Sequence, residues 1–216
     1  MISTKLLHLR EKIVQTALRS GRDPKDITLV AVTKSVSIEK MRAAYLAGER
    51  HFGESRVQEA LDKRAHLPPD IVWHFIGTLQ TNKLSKAVGQ FALIHSVDRL
   101  LLAKAIAKKS LDSGITTPIL LQVNVSQEGT KQGFSLDEIK EIFLELRGEK
   151  GLSVQGLMTI APLTSDQKKI RSCFSPLQKL KQELNFQHLS MGMSQDFPIA
   201  IEEGATLLRI GSAIFS

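Results

Sequence analysis

The chain alternates short apolar runs with longer segments that have helical spacing. The first run, residues 27–33, is rich in β-branched residues and has no alternating polar positions. Such a run is typical of a strand that is buried on both faces of a parallel sheet. Comparable runs follow at residues 50–53, 71–77, 91–97, 118–125, 154–160, 187–191 and 206–210. The pattern therefore predicts eight strands.

Helical segments are predicted between these strands. Apolar residues recur every three or four positions over residues 38–45, 100–108, 136–146 and 174–184. Candidate N-caps precede three of these segments: Ser37, Asp98 and Ser135. The candidate helix-ending glycines are Gly48, Gly114 and Gly151.

The order of these elements predicts the fold class. Strands that alternate with helices favour a parallel sheet, and eight such units favour a closed barrel. We therefore predict one domain over residues 1–216, a single (β/α)8 TIM-type barrel with an extra N-terminal helix at residues 4–19. An open doubly wound sheet is the alternative, but no Gly-x-Gly-x-x-Gly motif follows the first strand.

The composition narrows the possible partners and the cellular location. The net charge is +7 and the pI about 9.6, but the basic residues are dispersed, apart from clusters at residues 104–109 and 168–171. No basic motif with interleaved aromatics is present, so we predict no specific nucleic-acid partner. No apolar run approaches the roughly 18 residues of a membrane span, and residues 1–12 do not form a signal peptide. A single cysteine, Cys173, fits a cytoplasmic protein.

Lys34 stands directly after the first predicted strand. Barrels of this class place their reacting groups at the C-terminal mouth of the strands. Burial there would disfavour the ammonium form, and a neutral amine can form a Schiff base with an aldehyde. The alternative interpretation is that Lys34 only marks the end of the strand and points into solvent.

Small and polar residues also follow the last two predicted strands, at residues 190–194 and 209–212. In barrels the loops after strands 7 and 8 often bind phosphate. Gly211 would allow close backbone approach, while Ser194 and Ser212 would supply hydroxyl groups. A simple turn and helix cap is the alternative for Gly211 and Ser212. Together with Lys34, these residues indicate a site for an aldehyde that carries a phosphate.

Six segments of the chain resemble one known family, in that family's order: residues 29–34, 51–59, 73–83, 156–160, 189–194 and 208–215. The family is that of the pyridoxal phosphate homeostasis proteins. Its barrel is similar to the N-terminal domain of alanine racemase and of other fold-type III pyridoxal phosphate enzymes. The resemblance covers nearly the whole chain.

The resemblance implies specific roles for the candidate residues. Lys34 would carry pyridoxal 5′-phosphate as a Schiff base. The phosphate would be held by Ser194, Gly211 and Ser212, and Arg209 would face the pyridine nitrogen. To these we add Asn82 and Met158, near the ends of the third and sixth strands, as further cofactor-binding candidates.

Two departures from the family pattern are visible. This chain has Ser55 where the family usually has asparagine, which puts any cofactor contact of that amide in doubt. The family's terminal motif normally continues with a glycine and a few polar residues, whereas here the sequence stops at Ser216.

Arg209 favours a carrier over a catalyst. An arginine cannot accept a hydrogen bond, so the pyridine nitrogen would stay unprotonated and carbanion chemistry would be weakly supported. Racemases of this type add a tyrosine from a second domain, for which this chain leaves no room, and Tyr45 is expected to have a packing role. We therefore predict a monomeric, non-enzymatic cofactor carrier with pyridoxal phosphate-dependent apo-enzymes as candidate recipients. The alternatives are a low-activity amino-acid racemase and a barrel that binds another phosphorylated ligand or an acidic polymer.

Four other side chains are expected to lie outside the chemistry of the site. His51 and His74 are expected to be structural, and His95 lacks a third partner at metal-binding spacing. Lys131 is interpreted as a solvated loop lysine, although a secondary role in moving the cofactor is an alternative.

Overall fold

The computed structural model describes residues 1–125 and 132–216, and these form a closed barrel. Each strand pairs in parallel with the next along the chain, and the eighth closes on the first. The strands are β1 (Thr28–Val32), β2 (His51–Glu54), β3 (Val72–Phe75), β4 (Leu93–Val97), β5 (Thr117–Gln122), β6 (Leu152–Met158), β7 (His188–Ser190) and β8 (Leu207–Ile210). Every predicted run overlaps one of these strands, so the predicted barrel is confirmed.

Helices surround the barrel and fill the connections between strands. They are α1 (Ile2–Arg19), α2 (Ile38–Leu46), α3 (Val57–Arg64), α4 (Leu84–Ala87), α5 (Leu100–Asp112), α6 (Ile139–Leu146), α7 (Gln167–Glu183), α8 (Phe197–Glu202) and α9 (Ser212–Phe215). The extra N-terminal helix is confirmed as α1, which contacts α2, α8 and α9. Its buried residues Leu6, Leu9 and Ile13 recur at helical spacing, as expected for one apolar face.

The predicted helix ends are confirmed more often than the predicted starts. Gly48 and Gly114 follow α2 and α5 with φ of +86° and +68°, a conformation that favours glycine. Ser37 caps α2 by accepting a hydrogen bond from the amide of Lys40. The prediction for Asp98 was wrong by one residue, because α5 begins at Leu100 and Arg99 stands at its cap position. The carboxylate of Asp98 instead accepts a hydrogen bond from the side chain of Arg99.

The start of α6 also differs from the prediction. Glu138 stands at the cap position, and Ser135 begins the turn before it. The two residues hydrogen-bond reciprocally, since the Ser135 amide donates to the Glu138 carboxylate at 2.8 Å and the Glu138 amide donates to Ser135 Oγ at 3.4 Å. This arrangement resembles a capping box placed one turn early.

The interior of the barrel has an apolar part and a polar part. The apolar part is a cluster of five side chains: Val30, Leu93, Leu120, Met158 and Leu207. The polar part contains buried side chains from four strands: His74, His95, Ser190 and Arg209. Since burying polar groups without partners is costly, their hydrogen bonds must be satisfied inside the barrel.

The exterior carries the two basic clusters on helices, where carboxylates pair with part of their charge. On α5, Lys104 pairs with Glu145 at 2.5 Å, and on α7, Arg171 pairs with Glu203 at 2.8 Å. Within residues 1–125 and 132–216, no helix combines the length and apolar character that crossing a membrane requires.

Candidate functional site

Lys34 lies at the C-terminal mouth of the barrel, two residues beyond the end of β1. β1 ends with Val32, which is followed by the buried Thr33 and then by Lys34. The Lys34 side chain is exposed. The burial that the sequence interpretation assumed for this lysine is therefore not observed in the protein alone.

A cavity of about 460 Å³ opens at this mouth, beside Lys34. The predicted residues that line it are Lys34, Ser194, Arg209, Gly211 and Ser212. The other lining residues come mainly from the segments after β6 and β7: Val32, Ile160, Ala161, Pro162, Leu163, Thr164, Met193, Gln195 and Asp196. Five of the seven predicted site residues are thus brought together around one cavity.

The other two predicted residues lie elsewhere. Met158 is buried in the apolar cluster inside the barrel and is not among the residues that line the cavity. Asn82 is exposed in a 3-10 turn, Thr81–Lys83, beyond the end of β3. Neither side chain is presented to the cavity by the described part of the chain.

Two serine hydroxyls and one amide converge at one end of the cavity. Ser212 Oγ donates to Ser194 Oγ at 2.9 Å, and the amide of Ala213 donates to the same oxygen at 3.3 Å. Both serines are rotatable donors, so they can turn toward an anion. This end of the cavity therefore has the chemistry of a phosphate site.

Two glycines shape the loops that carry these serines. Gly192 has φ of +94°, and a Cβ there would stand 2.6 Å from the Cβ of Ala200. A Cβ on Gly211 would stand 3.3 Å from Val32. At Gly192 both the conformation and the lack of space require glycine.

Arg209 lies deeper in the site, with only 5% of its surface exposed. One guanidinium nitrogen donates to Ser190 Oγ, and another donates to the carbonyl oxygen of Thr159 at 2.8 Å. Burial lowers the pKa of Arg209 to about 10, against the opposing effect of Asp196, so the group remains a cation at neutral pH. The site therefore combines one exposed amine with one buried, fixed positive charge.

Asp196 is the one carboxylate among the described residues that line the cavity. It accepts a hydrogen bond from the amide of Met193 at 2.5 Å, and burial raises its pKa. The sequence interpretation did not include Asp196. It stands three residues after Met193 in the loop after β7, and its carboxylate accepts backward from the Met193 amide, as the acidic residue of a capping box does.

A buried ionic cluster supports the turn that follows Lys34. Lys63 Nζ lies 2.8 Å from Glu54 and 2.6 Å from Glu59, and it also donates to the carbonyl oxygen of Thr33 at 2.7 Å. Glu54 is fully buried, and burial is the main cause that raises its pKa, although its bond from Lys63 opposes the rise. We call Glu54, Glu59 and Lys63 the turn-support cluster.

The turn itself has an unusual conformation at Ser35, whose φ is +58°. Non-glycine residues adopt this conformation only where surrounding contacts hold them. Here the Ser35 amide donates to Glu59 at 3.0 Å, so the turn-support cluster fixes the residues on both sides of Lys34. The sequence interpretation missed this cluster, although the Glu59–Lys63 spacing of four residues on a helix was a readable signal.

Other residues singled out in the sequence lie away from the cavity. Tyr45 donates to Asp70 at 2.8 Å and packs beneath the guanidinium of Arg50, in agreement with a packing role. His95 lies in the middle of β4, below the mouth, and Cys173 is buried on α7. Lys131 falls outside the described residues. Within the described ranges, no group of three or more residues is arranged to hold a metal ion.

The whole chain is similar to proteins of one known family. The profile of the family described as alanine racemase, N-terminal domain, matches residues 8–216. A pyridoxal phosphate homeostasis protein of Aquifex aeolicus is 41% identical over 218 residues, which cover 98% of this chain and 96% of that one. The Escherichia coli K12 protein of the same name is 35% identical, with coverage of 99% and 95%.

Solved structures agree with these sequence matches. PipY of Synechococcus elongatus, determined with pyridoxal phosphate bound, is 35% identical, covers 100% of both chains and superposes with a TM-score of 0.85. Alanine racemase of Clostridium difficile is 13% identical, with a TM-score of 0.73 over 95% of this chain and 55% of the racemase, which shows a shared fold. On the full-length matches, this chain belongs to the pyridoxal phosphate homeostasis protein family.

Proposed function

We propose that this protein binds pyridoxal 5′-phosphate in the cavity at the barrel mouth and takes part in the homeostasis of that cofactor. The observation that carries the proposal is the meeting of Lys34, Arg209, Ser194 and Ser212 around one cavity. An amine, a buried cation and a pair of hydroxyls match the aldehyde, the ring nitrogen and the phosphate. The PipY structure with pyridoxal phosphate bound supports the same ligand.

Each side chain then has a defined role. Lys34 would hold the cofactor through its aldehyde as a Schiff base. Ser194 and Ser212 would hold the phosphate through their hydroxyl groups. Arg209, which can only donate hydrogen bonds, would face the pyridine nitrogen and leave it unprotonated. When bound, pyridoxal phosphate supplies a carbonyl group for exchange with amines and a ring that can accept electrons.

A carrier role fits this arrangement better than efficient catalysis. Among the described residues that line the cavity, the titratable side chains are Lys34, Asp196 and Arg209. Lys34 is engaged with the cofactor, Arg209 cannot give up its proton, and Asp196 is held by a backbone amide. Amino-acid chemistry requires a general acid and a general base, and these three side chains do not supply such a pair. The protein therefore retains and releases the bound cofactor and does not catalyse a reaction with it efficiently.

We infer that the protein is a cytoplasmic monomer that delivers pyridoxal phosphate to apo-enzymes. The exposed position of Lys34 supports delivery, because an acceptor amine from a recipient can reach the linkage without unfolding the barrel.

Borohydride fixation of the cofactor tests the covalent role of Lys34. The full chain is incubated with pyridoxal phosphate, its visible absorbance band is recorded, and the reduced protein is digested for mass spectrometry. The cofactor should be found on Lys34, and Lys34→Ala should lose the band while keeping the circular dichroism of the wild type. Lys40→Ala is the matched control, since Lys40 lies nearby and donates to the carbonyl oxygen of Phe215 at 3.0 Å. Cofactor fixed on Lys83 or Lys131 would overturn the assignment.

Assays with D- and L-amino acids separate a carrier from a low-activity racemase. Loaded wild-type protein should interconvert amino acids far more slowly than ordinary enzymes, whose turnover is about 1–10³ per second. Turnover in that range would favour the racemase alternative.

A further inference from the structure

A continuous chain of hydrogen bonds crosses the barrel interior below Arg209. His51 Nδ1 lies 3.0 Å from His74 Nε2, and His74 Nδ1 lies 2.9 Å from His95 Nε2. His95 Nδ1 lies 2.8 Å from Ser190 Oγ, which also accepts a hydrogen bond from Arg209. The chain therefore runs from the half-buried start of β2 to the cation beneath the proposed cofactor site. We call these five residues the interior chain.

The burial of the interior chain keeps its imidazoles neutral at physiological pH. His74 and His95 are 4% and 0% exposed. Burial, with a smaller effect of neighbouring positive charge, lowers the pKa of His74 to about 3 and that of His95 well below its usual value. A neutral imidazole has one donor and one acceptor nitrogen, so a ring that bonds through both nitrogens gives one hydrogen bond and takes one.

Arg209 sets the direction of these bonds. A guanidinium can only donate, so Ser190 Oγ must accept from it. Among the described residues, His95 Nδ1 is the one acceptor within reach of the Ser190 hydroxyl hydrogen. If His95 Nδ1 carried a proton instead, that hydroxyl would be buried without an acceptor, which is costly. The hydroxyl of Ser190 therefore donates to His95.

The direction then passes from ring to ring. With Nδ1 of His95 as acceptor, its Nε2–H donates to His74 Nδ1, and His74 Nε2–H in turn donates to His51 Nδ1. We propose that Ser190, His95, His74 and His51 are positioning residues, which form a one-way hydrogen-bond chain that holds Arg209 in place beneath the cofactor site. All three imidazoles are Nε2–H tautomers. The part of the proposal that concerns the cofactor rests on the proposed function.

The interior chain strengthens the hydrogen bond between Arg209 and Ser190 beyond what an isolated serine would provide. By donating its hydrogen to His95, Ser190 gains electron density on the oxygen that Arg209 contacts, since hydrogen bonds in a chain polarise one another. The carbonyl of Thr159 holds the other side of the guanidinium at 2.8 Å. Arg209 is thus held on two sides and presents its remaining N–H groups to the cavity.

Nitrogen-15 NMR spectroscopy of the histidine rings tests the direction of the hydrogen bonds in the interior chain. The full-length protein, without added cofactor, is labelled at histidine and examined at neutral pH. His51, His74 and His95 should each show a protonated Nε2 and an unprotonated Nδ1. The exposed residues His8 and His66 provide signals from rings outside the chain. A protonated Nδ1 on His95, or a doubly protonated ring at any of the three positions, would overturn the proposal.

Two variants test the positioning role. Ser190→Ala removes the link to Arg209, so His95 should lose its single tautomer and the affinity for pyridoxal phosphate should fall about 10- to 100-fold. His95→Gln is the conservative variant, because its amide can accept from Ser190 and donate to His74 in the same direction. It should keep the affinity within a few-fold of wild type.

The outcomes separate the two proposals. If wild-type protein does not bind pyridoxal phosphate, the proposed function fails, while the tautomer pattern can still be read. If Ser190→Ala folds, as circular dichroism would show, and binds as tightly as wild type, the positioning role is wrong. Should Ser190→Ala fail to fold, His95→Leu replaces it. His95→Leu should then bind more weakly than His95→Gln, and equal affinity would overturn the positioning role.

Discussion

Ser194 and Ser212 come from loops that follow different strands, yet their hydroxyl oxygens lie 2.9 Å apart. Ser212 donates to Ser194, so the fold itself brings the two hydroxyl groups together. Preorganised donors lose little entropy on binding. At the scale of single residues, this pair is where the recognition of the phosphate should be concentrated.

Replacing both serines with alanine should weaken the binding of pyridoxal phosphate selectively. Hydrogen bonds to charged groups contribute roughly 1.5–3 kcal/mol each, so the affinity should fall by one to several powers of ten. Pyridoxal, which lacks the phosphate, should be nearly indifferent to the change. Titration of both ligands by absorbance measures the difference, with Ser172→Ala on the exposed face of α7 as the control. Equal weakening for both ligands would locate the phosphate elsewhere.

Arg209→Lys should show that the shape of the guanidinium matters as well as its charge. A lysine is a single point charge and cannot reach Ser190 and Thr159 together as the planar fork does. One buried acceptor would lose its partner, which costs about 1–3 kcal/mol in the free energy of unfolding. Urea denaturation measures this loss. Arg147→Lys on the exposed surface should change stability by less than about 0.5 kcal/mol, and a similar value for Arg209→Lys would contradict the expectation.

At the scale of elements, β1 was the most readable strand, because its central residues Leu29, Val30 and Ala31 are apolar and buried. The orientation of a side chain at a strand end was harder to read. Met158 ends β6, but its side chain packs in the apolar cluster inside the barrel and does not line the cavity. Asn82 lies in a turn well beyond β3, where sequence spacing does not determine the path of the chain.

The turn-support cluster predicts how the connection between β1, β2 and α3 responds to mutation. Lys63→Met leaves Glu54 as a fully buried carboxylate without its cation, and breaking a buried pair in this way costs about 3–5 kcal/mol. Lys63→Met combined with Glu54→Gln removes both charges and should recover part of that loss. Urea denaturation of the two single variants and the double variant gives the coupling between the residues. A double variant less stable than Lys63→Met would contradict this account.

Borohydride fixation in the same variants links this cluster to Lys34. Because Glu59 holds the Ser35 amide and Lys63 holds the Thr33 carbonyl, loosening the cluster should slow the reaction of Lys34 with pyridoxal phosphate. The amount of cofactor fixed per unit time, compared with that in Arg147→Lys, measures the effect. An unchanged rate in folded Lys63→Met would mean that the turn holds its shape without the cluster.

At the scale of the whole molecule, the interior chain could not be predicted from sequence. His51, His74 and His95 come from three strands. In the register of the closed barrel His51 lies opposite Val72 and His74 lies opposite Leu93, so each ring meets the next diagonally, two residues further along the neighbouring strand. The sequence interpretation treated His51 and His74 as structural, which agrees with their positions in β2 and β3. It contained no means of pairing them with Ser190 and Arg209, since long-range register depends on barrel closure.

These histidines should make the stability of the molecule fall as the pH decreases below 6.5. The pKa values of His51, His74, His95 and His188 are lowered in the folded state, mainly by burial, so the unfolded chain binds more protons below its own pKa of 6.5. The free energy of unfolding therefore decreases as the pH falls through 6.5, and for His74 the decrease continues to about pH 3. Each such histidine contributes up to about 1.4 kcal/mol per pH unit.

Neighbouring charges define the pH range in which this effect can be measured. Arg209 and His188 oppose protonation of the interior rings, while Glu49 favours protonation of His51. Glu54 and Asp196 have raised pKa values, so they act in the opposite direction, from their raised folded values down to their unfolded values of 4.5 and 3.8. Between roughly pH 6.5 and pH 5 the histidine effect is therefore measured with a variant that removes one histidine and leaves both carboxylates in place.

His74→Gln isolates the titration from the hydrogen bonds. The glutamine amide can accept from His95 and donate to His51, as the neutral ring does, but it cannot take up a proton. Urea denaturation across this pH range should show a slope shallower than that of the wild type by up to about 1.4 kcal/mol per pH unit. His8→Gln, at an exposed position on α1, is the matched control for losing a histidine. Equal slopes in His74→Gln and wild type would show that the folded barrel protonates His74 as readily as the unfolded chain does, and the neutral interior chain would then be wrong.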